Sequence, residues 1–232
     1  MGLLLLFAVF MVLGTIKDIN VAYGMKTIVN QSIVVAIIAT GAVFIYTLGS
    51  FDISLGASAA VSALTGGMAY NATGNLFVAF LVCIGLAVMI SLFNSILASV
   101  FNLPVFVTTI AMLSVLNALV LVLIRLNGTG DEIAVPSAAV KPLDTIGFKL
   151  VVLIVNSCLC AFVFCFTKIG RKQKLLGGNP ICAKLTGISD KKMAIIAFAM
   201  AGLGVGRGGF VSIHNAPTLT RNTASSVGAY KM

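Results

Sequence analysis

The chain has 232 residues, of which 59% are apolar and only 9% charged, and its formal net charge is +9. A soluble globular domain carries about 25% charged residues, so this composition excludes one. The apolar content is also too high for a disordered chain. The excess positive charge does not indicate nucleic-acid binding, because the basic residues lie in polar loops between apolar runs. These observations leave a membrane-embedded protein.

Apolar runs long enough to cross a bilayer recur along the chain. A hydrocarbon core of about 30 Å takes about 20 residues of helix. The runs lack the ten-residue alternation of barrel strands, which indicates helices. The predicted spans are 2–16, 32–51, 53–70, 76–101, 105–124, 150–166 and 193–213. We therefore predict an all-α fold, a polytopic transmembrane helical bundle of about seven spans, forming one domain over residues 1–232.

The basic residues predict which loops are cytoplasmic. The loop 167–192 holds seven of the chain's fifteen Lys and Arg residues, and basic loops stay on the cytoplasmic side. Counting spans from there places 127–149 outside, where Asp131, Glu132 and Asp144 supply three of the six acids. This topology puts the amino terminus inside and the carboxyl terminus outside.

Asp52 is the only charged residue between Lys26 and Arg125. An ionisable residue in a span costs about 2.5–3.5 kcal/mol on insertion scales, which makes Asp52 a functional candidate. Small neighbours such as Ser54 and Gly56 permit close helix approach or a break in the helix. The alternative is that Asp52 only lies at the interface between two spans and accepts backbone hydrogen bonds.

A short capped helix is predicted inside the cytoplasmic loop. Asn179 would be its N-cap, Pro180 its first helical residue, and Gly187 would follow its end. Ile181 and Leu185, four residues apart, would share one face. The pattern fits either an element that docks a partner or a helix that lies along the lipid headgroups.

The last apolar run contains a glycine-rich segment. The spacing from Gly204 to Gly209 matches a dinucleotide-binding motif, but it lies within an apolar span and follows no strand. Pairs such as Gly202 and Gly206 instead favour close helix packing. We expect Arg207 to reach the interface or to line a cavity, and His214 to be an interfacial residue beyond the span.

The residues that usually carry chemistry are sparse. Four of the five Cys residues lie in apolar runs and are expected to be packing residues. No spacing resembles a metal-ligand set, and no Ser or Cys nucleophile stands at an interpretable spacing from His214. We therefore expect neither enzymatic activity nor a cofactor or metal.

Three segments resemble, in order, the permease subunit of simple-sugar ABC importers of the ribose type. Residues 49–56, GSFDISLG, are similar to the family's GGIDLSVG. Residues 92–94 and 103–109, LFN and LPVFVTT, are similar to its Asn-Gly and Leu-Pro-Pro-Phe-Ile-x-Thr segments. Residues 177–188, GGNPICAKLTGI, are similar to its GGNxxAARLSGI. The resemblance runs from about residue 30 to residue 229.

The resemblance implies an inner-membrane, multi-pass permease that performs no chemistry itself. Its partners would be a cytoplasmic ATP-binding subunit, a second permease subunit, an extracytoplasmic sugar-binding protein and the bilayer, but no nucleic acid. The loop 168–192 would carry the coupling helix, with contacts from Gly177, Gly178, Asn179, Pro180, Ala183, Lys184, Leu185, Gly187 and Ile188. The translocation path or gate would include Asp52, Ser54, Gly56, Asn94, Phe106 and Thr109.

Two departures from the family pattern stand out. Ile181 and Cys182 replace an acidic residue and an Ala, which removes polar contacts there. The family also continues through further spans, so we expect that this chain is truncated at Met232.

Three alternatives for the function stay open: a permease for nucleosides, a permease for branched-chain amino acids, and an ion-driven secondary transporter. An ion-driven transporter would need a proton or sodium relay, and Asp52 is the only membrane-embedded acid available for one.

Overall fold

A computed structural model describes residues 2, 7, 9–12, 21–127, 132–134, 144–214 and 218–220. The long helices in these ranges are α1 (Val21–Thr47), α2 (Leu55–Thr73), α3 (Leu76–Phe101), α4 (Val105–Asn127) and α5 (Ile146–Phe166). They are followed by α6 (Lys168–Gly178), α7 (Pro180–Leu185) and α8 (Asp190–Ile213). Two strands, β1 (Glu132–Ala134) and β2 (Thr218–Thr220), form an antiparallel pair.

Five helices of the described residues are long and apolar enough to cross a membrane. They are α3, α4, α5, α8 and the Gly24–Thr47 part of α1. Helix α2, rich in Ala, Gly and Ser, is not among them, and the predicted span 2–16 lies largely outside the described residues. The structure therefore supports a polytopic helical bundle with five candidate spans among the described residues, and it does not confirm the predicted number of about seven.

The predicted helix boundaries are most accurate where the sequence carries clear turn signals. Helix α3 has the predicted limits, between the cap Asn75 and Asn102, whose φ of +50° ends the helix. Helices α5 and α8 begin earlier than predicted, after Thr145 and Ser189. The predicted spans were counted from the residue after Lys149 and after Lys192, so they leave out the first helical residues up to these charges.

Helix α8 is packed closely against three other helices. A Cβ added to Gly206 would lie 2.6 Å from the Ile84 Cα of α3, and one added to Gly204 would lie 2.9 Å from the Gly41 Cα of α1. Gly209 faces α2 in the same way, at 3.0 Å from the Ala59 carbonyl oxygen. The glycines of this segment thus let helix backbones approach, as predicted, and they do not form a nucleotide loop.

Helix α5 is joined to the bundle by buried polar side chains. Lys149, which is fully buried, pairs with Asp144 and donates to Asn30 of α1. Asn156 donates to the Ile37 carbonyl and accepts from Arg207. Arg207 is therefore a half-buried link between α8 and α5.

The basic loop and the loop 127–149 lie at opposite ends of the bundle. At one end α6 packs on the end of α1, where the Gln173 amide donates to the Phe44 carbonyl and Gly177 lies against Thr47. At the other end β1, from the loop 127–149, pairs with β2, which follows α8. The all-α prediction missed this sheet, because three-residue strands are too short for a periodic signal. Helix α6 was also not predicted.

Candidate functional site

Helix α7 begins and ends with the predicted signals. The Asn179 side chain accepts a hydrogen bond from the Cys182 amide at 3.1 Å, and Pro180 occupies the first helical turn. The chain leaves the helix through Gly187, whose φ is +78°. The Ile188 amide then donates to the Ala183 carbonyl, which is the backbone pattern of a glycine-terminated helix. The local sequence therefore sets where this short helix begins and ends.

One face of α7 packs against the rest of the chain, and the opposite face is exposed. Ala183 is fully buried and packs with Leu176 of α6 and Met193 of α8. On the opposite side Ile181 is 73% exposed and Leu185 is 83% exposed. Two large apolar side chains on a supported surface, at the end of the bundle that carries the basic loop, are a candidate contact for another protein.

The predicted coupling residues divide into supporting and exposed positions. Gly177 supports the loop, because a Cβ there would overlap the Thr47 carbonyl oxygen. Lys184 forms an exposed ion pair with Asp190 at 2.8 Å. By contrast, nothing lies within 4 Å of a Cβ built on Gly178. The free apolar surface of the helix is thus concentrated at Ile181 and Leu185.

Four of the six predicted path residues form one buried polar cluster at the start of α2. Asp52 Oδ1 accepts from both the amide and the hydroxyl of Ser54, at 2.7 Å each. The Asn94 amide of α3 donates to the Ser54 hydroxyl at 2.8 Å. The Thr109 hydroxyl of α4 accepts from the Ile53 amide at 3.4 Å. The cluster joins the segment 48–54 to α3 and α4.

The cluster lies inside the bundle, below the ends of α3 and α4 that meet at the turn 102–104. Asn94 is seven residues before the end of α3, and Thr109 is four residues after the start of α4. At 1.5 Å per residue these depths are about 10 Å and about 6 Å. The segment 48–54 therefore returns from the end of α1 into the bundle before α2 begins.

Several polar atoms of this region have no hydrogen-bond partner among the described residues. They are Asp52 Oδ2, Asn94 Oδ1 and the hydroxyl of Ser95, and all three are buried. Native structures rarely leave such atoms unsatisfied, and these exceptions often mark functional positions.

The other two predicted path residues do not join the cluster. Phe106 is 49% exposed on the outer side of α4. Gly56 is half-buried, and nothing lies within 4 Å of a Cβ built on it. These two positions face outward from the single chain.

Sequence reasoning missed some buried polar residues and misjudged one. Asn156 and Gln173 are nearly inaccessible, yet neither was singled out. For Asn156 the signal was present, because it is an amide in the middle of an apolar run. His214 lies just beyond α8 as predicted but is buried rather than interfacial, with its ring 4.7 Å from that of Phe210. This burial lowers the pKa of the His214 imidazole.

The comparison with protein families identifies the class. Residues 24–229 match the family described as branched-chain amino acid transport system / permease component. The match spans most of the chain, which therefore belongs to this permease family. It is a multi-pass inner-membrane permease of an ATP-binding-cassette transport system, as the motifs of Asp52 and α7 implied.

Individual relatives carry a more specific name. The autoinducer 2 import system permease protein LsrC of Photorhabdus laumondii is 26% identical over 230 residues, which cover 96% of this chain and 68% of the relative. The protein of that name from Yersinia enterocolitica is 28% identical, with 97% and 63% covered. The chain thus spans about two thirds of the length of these relatives. No solved structure matches the chain.

Proposed function

We propose that the chain is one of two permease subunits that together form the translocation path for a ribose-like monosaccharide. An extracytoplasmic binding protein would deliver the solute. A cytoplasmic ATP-binding subunit would bind at α7 and switch the path between outward and inward states. The second permease subunit would be a copy of this chain or a similar one.

The exposed apolar face of α7 is the observation that carries this proposal. The side chains of Leu185 and Ile181 are not packed against the rest of this chain, because they point away from the bundle. Ala183 and the cap at Asn179 nevertheless hold the helix in a defined orientation. A fixed helix with an unused apolar face suits insertion into a groove of a partner. A helix lying along the headgroups would not need this rigid base.

The polar cluster supports the assignment of a path or gate near Asp52. Because its four members are enclosed within one chain, they would position the start of α2 rather than touch the solute in this conformation. Of the six predicted path residues, Gly56 and Phe106 are the two that could line a path between two permease subunits.

The test of docking is the substitution Leu185→Asp. A charge buried in an apolar groove is strongly unfavourable, so co-purification of the ATP-binding subunit should fall at least tenfold while membrane abundance stays normal. Leu126→Asp is the matched control, since Leu126 is 75% exposed at the opposite end of the bundle. Unchanged co-purification with Leu185→Asp would contradict the proposal.

The solute is tested separately by uptake. Proteoliposomes with the permease, the ATP-binding subunit and the binding protein should take up labelled ribose, with competition by related monosaccharides. The names of the relatives make autoinducer 2 the second candidate, and the family description adds branched-chain amino acids. Competition by one of these, but not by sugars, would replace the proposed solute and leave the docking result unaffected.

A further inference from the structure

The buried cluster around Asp52 contains an acid without a positive partner. Asp52 is 3% exposed, and both of its hydrogen bonds come from Ser54. The ion pairs within the described ranges join Lys149 to Asp144 and Lys184 to Asp190, away from this cluster. An ionised carboxylate is costly to bury without a counter-charge. Another species must therefore balance the charge at Asp52.

Ser54 determines which atoms of the cluster donate and which accept. Asp52 Oδ1 accepts from the Ser54 amide, so this oxygen carries no proton, and the single hydroxyl proton of Ser54 goes to it as well. The Ser54 oxygen must then accept from the amide nitrogen of Asn94. This fixes the orientation of the Asn94 side chain and leaves its Oδ1 without a donor, like Asp52 Oδ2. The cluster has two unmatched acceptors and needs a donor.

The surrounding elements do not provide a compensating charge. Tyr46, near the end of α1, interacts electrostatically with Asp52, but a phenol is neutral near pH 7. Helix α3 contributes Asn94 and Ser95, and α4 contributes Thr109, none of which is charged. The amino terminus of α2 favours a nearby anion, but this effect is smaller than the cost of burying an unpaired carboxylate.

A metal ion fits the cluster less well than a proton. Among the residues that the structure describes, no group of three or more His, Cys, Asp or Glu side chains could hold one. Hard cations take six or more oxygen ligands, and the unmatched groups here are one carboxylate oxygen, one amide oxygen and one hydroxyl.

We propose that Asp52 carries a proton on Oδ2 in this conformation, so that the segment 48–54 lies inside the bundle as a neutral carboxylic acid. The proton comes from water and returns to it, so no other reactant takes part. Oδ1 still accepts from Ser54, while Oδ2 becomes the donor that the cluster lacks. The proposal does not depend on the transported solute or on docking at α7.

Infrared spectroscopy of the full chain in lipid nanodiscs tests this proposal. The chain has only six Asp and Glu residues, so few groups contribute to the carbonyl stretch of protonated carboxylic acids. We expect this band near neutral pH, with a shift in D₂O and loss in Asp52→Asn. Asp190→Asn is the control, because Asp190 is partly exposed and paired with Lys184. It should leave the band unchanged.

The wild-type protein provides a second measurement if Asp52→Asn does not fold. Its band should persist at neutral pH and disappear only in alkaline solution. Absence of the band at neutral pH, or its persistence in a folded Asp52→Asn protein, would overturn the proposal. A band that appears only when choline replaces sodium and potassium would assign the charge balance to a bound metal cation, which would also overturn it.

Discussion

Asn156 connects three helices through one amide group. Its nitrogen donates to the Ile37 carbonyl and the Thr40 hydroxyl of α1, and its oxygen accepts from Arg207 of α8. The orientation of the amide is consistent with all three contacts, because a carbonyl can only accept and a guanidinium can only donate. Hydrogen bonds between membrane helices average about 0.6 kcal/mol and reach about 1.7 kcal/mol.

Replacement of Asn156 by Leu should therefore destabilise the bundle by roughly 1–3 kcal/mol, since it removes these bonds and leaves the Arg207 guanidinium unpaired. The free energy of unfolding in mixed micelles measures this loss. Cys158→Leu is the matched control, because Cys158 is exposed on the same helix. A double variant that also replaces Arg207 by Leu should lose less than the two single changes combined. Equal stability of Asn156→Leu and wild type would contradict this account.

The sequence alone identifies some of the important polar residues but not the contacts that they make. Asp52 is visible as an isolated charge, and its neighbours Ser54 and Asn94 follow from family motifs. Their joint burial depends on the return of the segment 48–54 into the bundle, which no local pattern encodes. In the sequence analysis Lys149 served only as the end of the loop 127–149. Its burial could not be predicted, because its partner Asn30 is distant in sequence. Long-range polar pairs of this kind require the fold.

At the scale of elements, α8 owes its position to glycine. Its Gly206 lies so close to α3 that an added Cβ would stand 2.6 Å from the Ile84 Cα, where only a backbone shift could make room. Association of helices in lipid rests on such close packing rather than on apolar burial. The sequence predicted this use of glycine from spacing alone, but it could not say which helix each glycine faces.

The change Gly206→Ala should separate α3 from α8 and destabilise the bundle by about 1–3 kcal/mol, the usual cost of overpacking. Gly85→Ala, on α3 itself, should be neutral or slightly stabilising, because nothing lies within 4 Å of the new Cβ and Ala is the better helix former. Thermal unfolding of the two variants in the same detergent compares them. A Gly206→Ala protein as stable as Gly85→Ala would show that the helices are not held in this contact.

At the scale of the whole molecule, the fold places the basic loop and the loop 127–149 at opposite ends of the bundle, as a single orientation in the membrane requires. The basic loop, α6 and α7 gather at the end where α1 finishes, while β1 and β2 pair at the other end. The last turn of α2, which contains Ala72, belongs to the second end, because α1 and α2 run in opposite directions along α8. The distribution of Lys and Arg predicts that the basic end is cytoplasmic, because these residues avoid translocation. The sheet was not predictable, because its pairing joins segments far apart in the chain.

Thiol labelling in cells tests this sidedness. Cys182 on α7 is exposed and should react with a membrane-impermeant thiol reagent only after the membrane is opened, when the other four cysteines have been replaced. Ala72→Cys, in a background without native cysteines, should react in intact cells because Ala72 is exposed at the opposite end. The two single-cysteine proteins serve as controls for each other, since each reports one side. Labelling of Cys182 in intact cells, together with protection of Ala72→Cys, would reverse the orientation and place α7 where no cytoplasmic ATP-binding subunit could reach it.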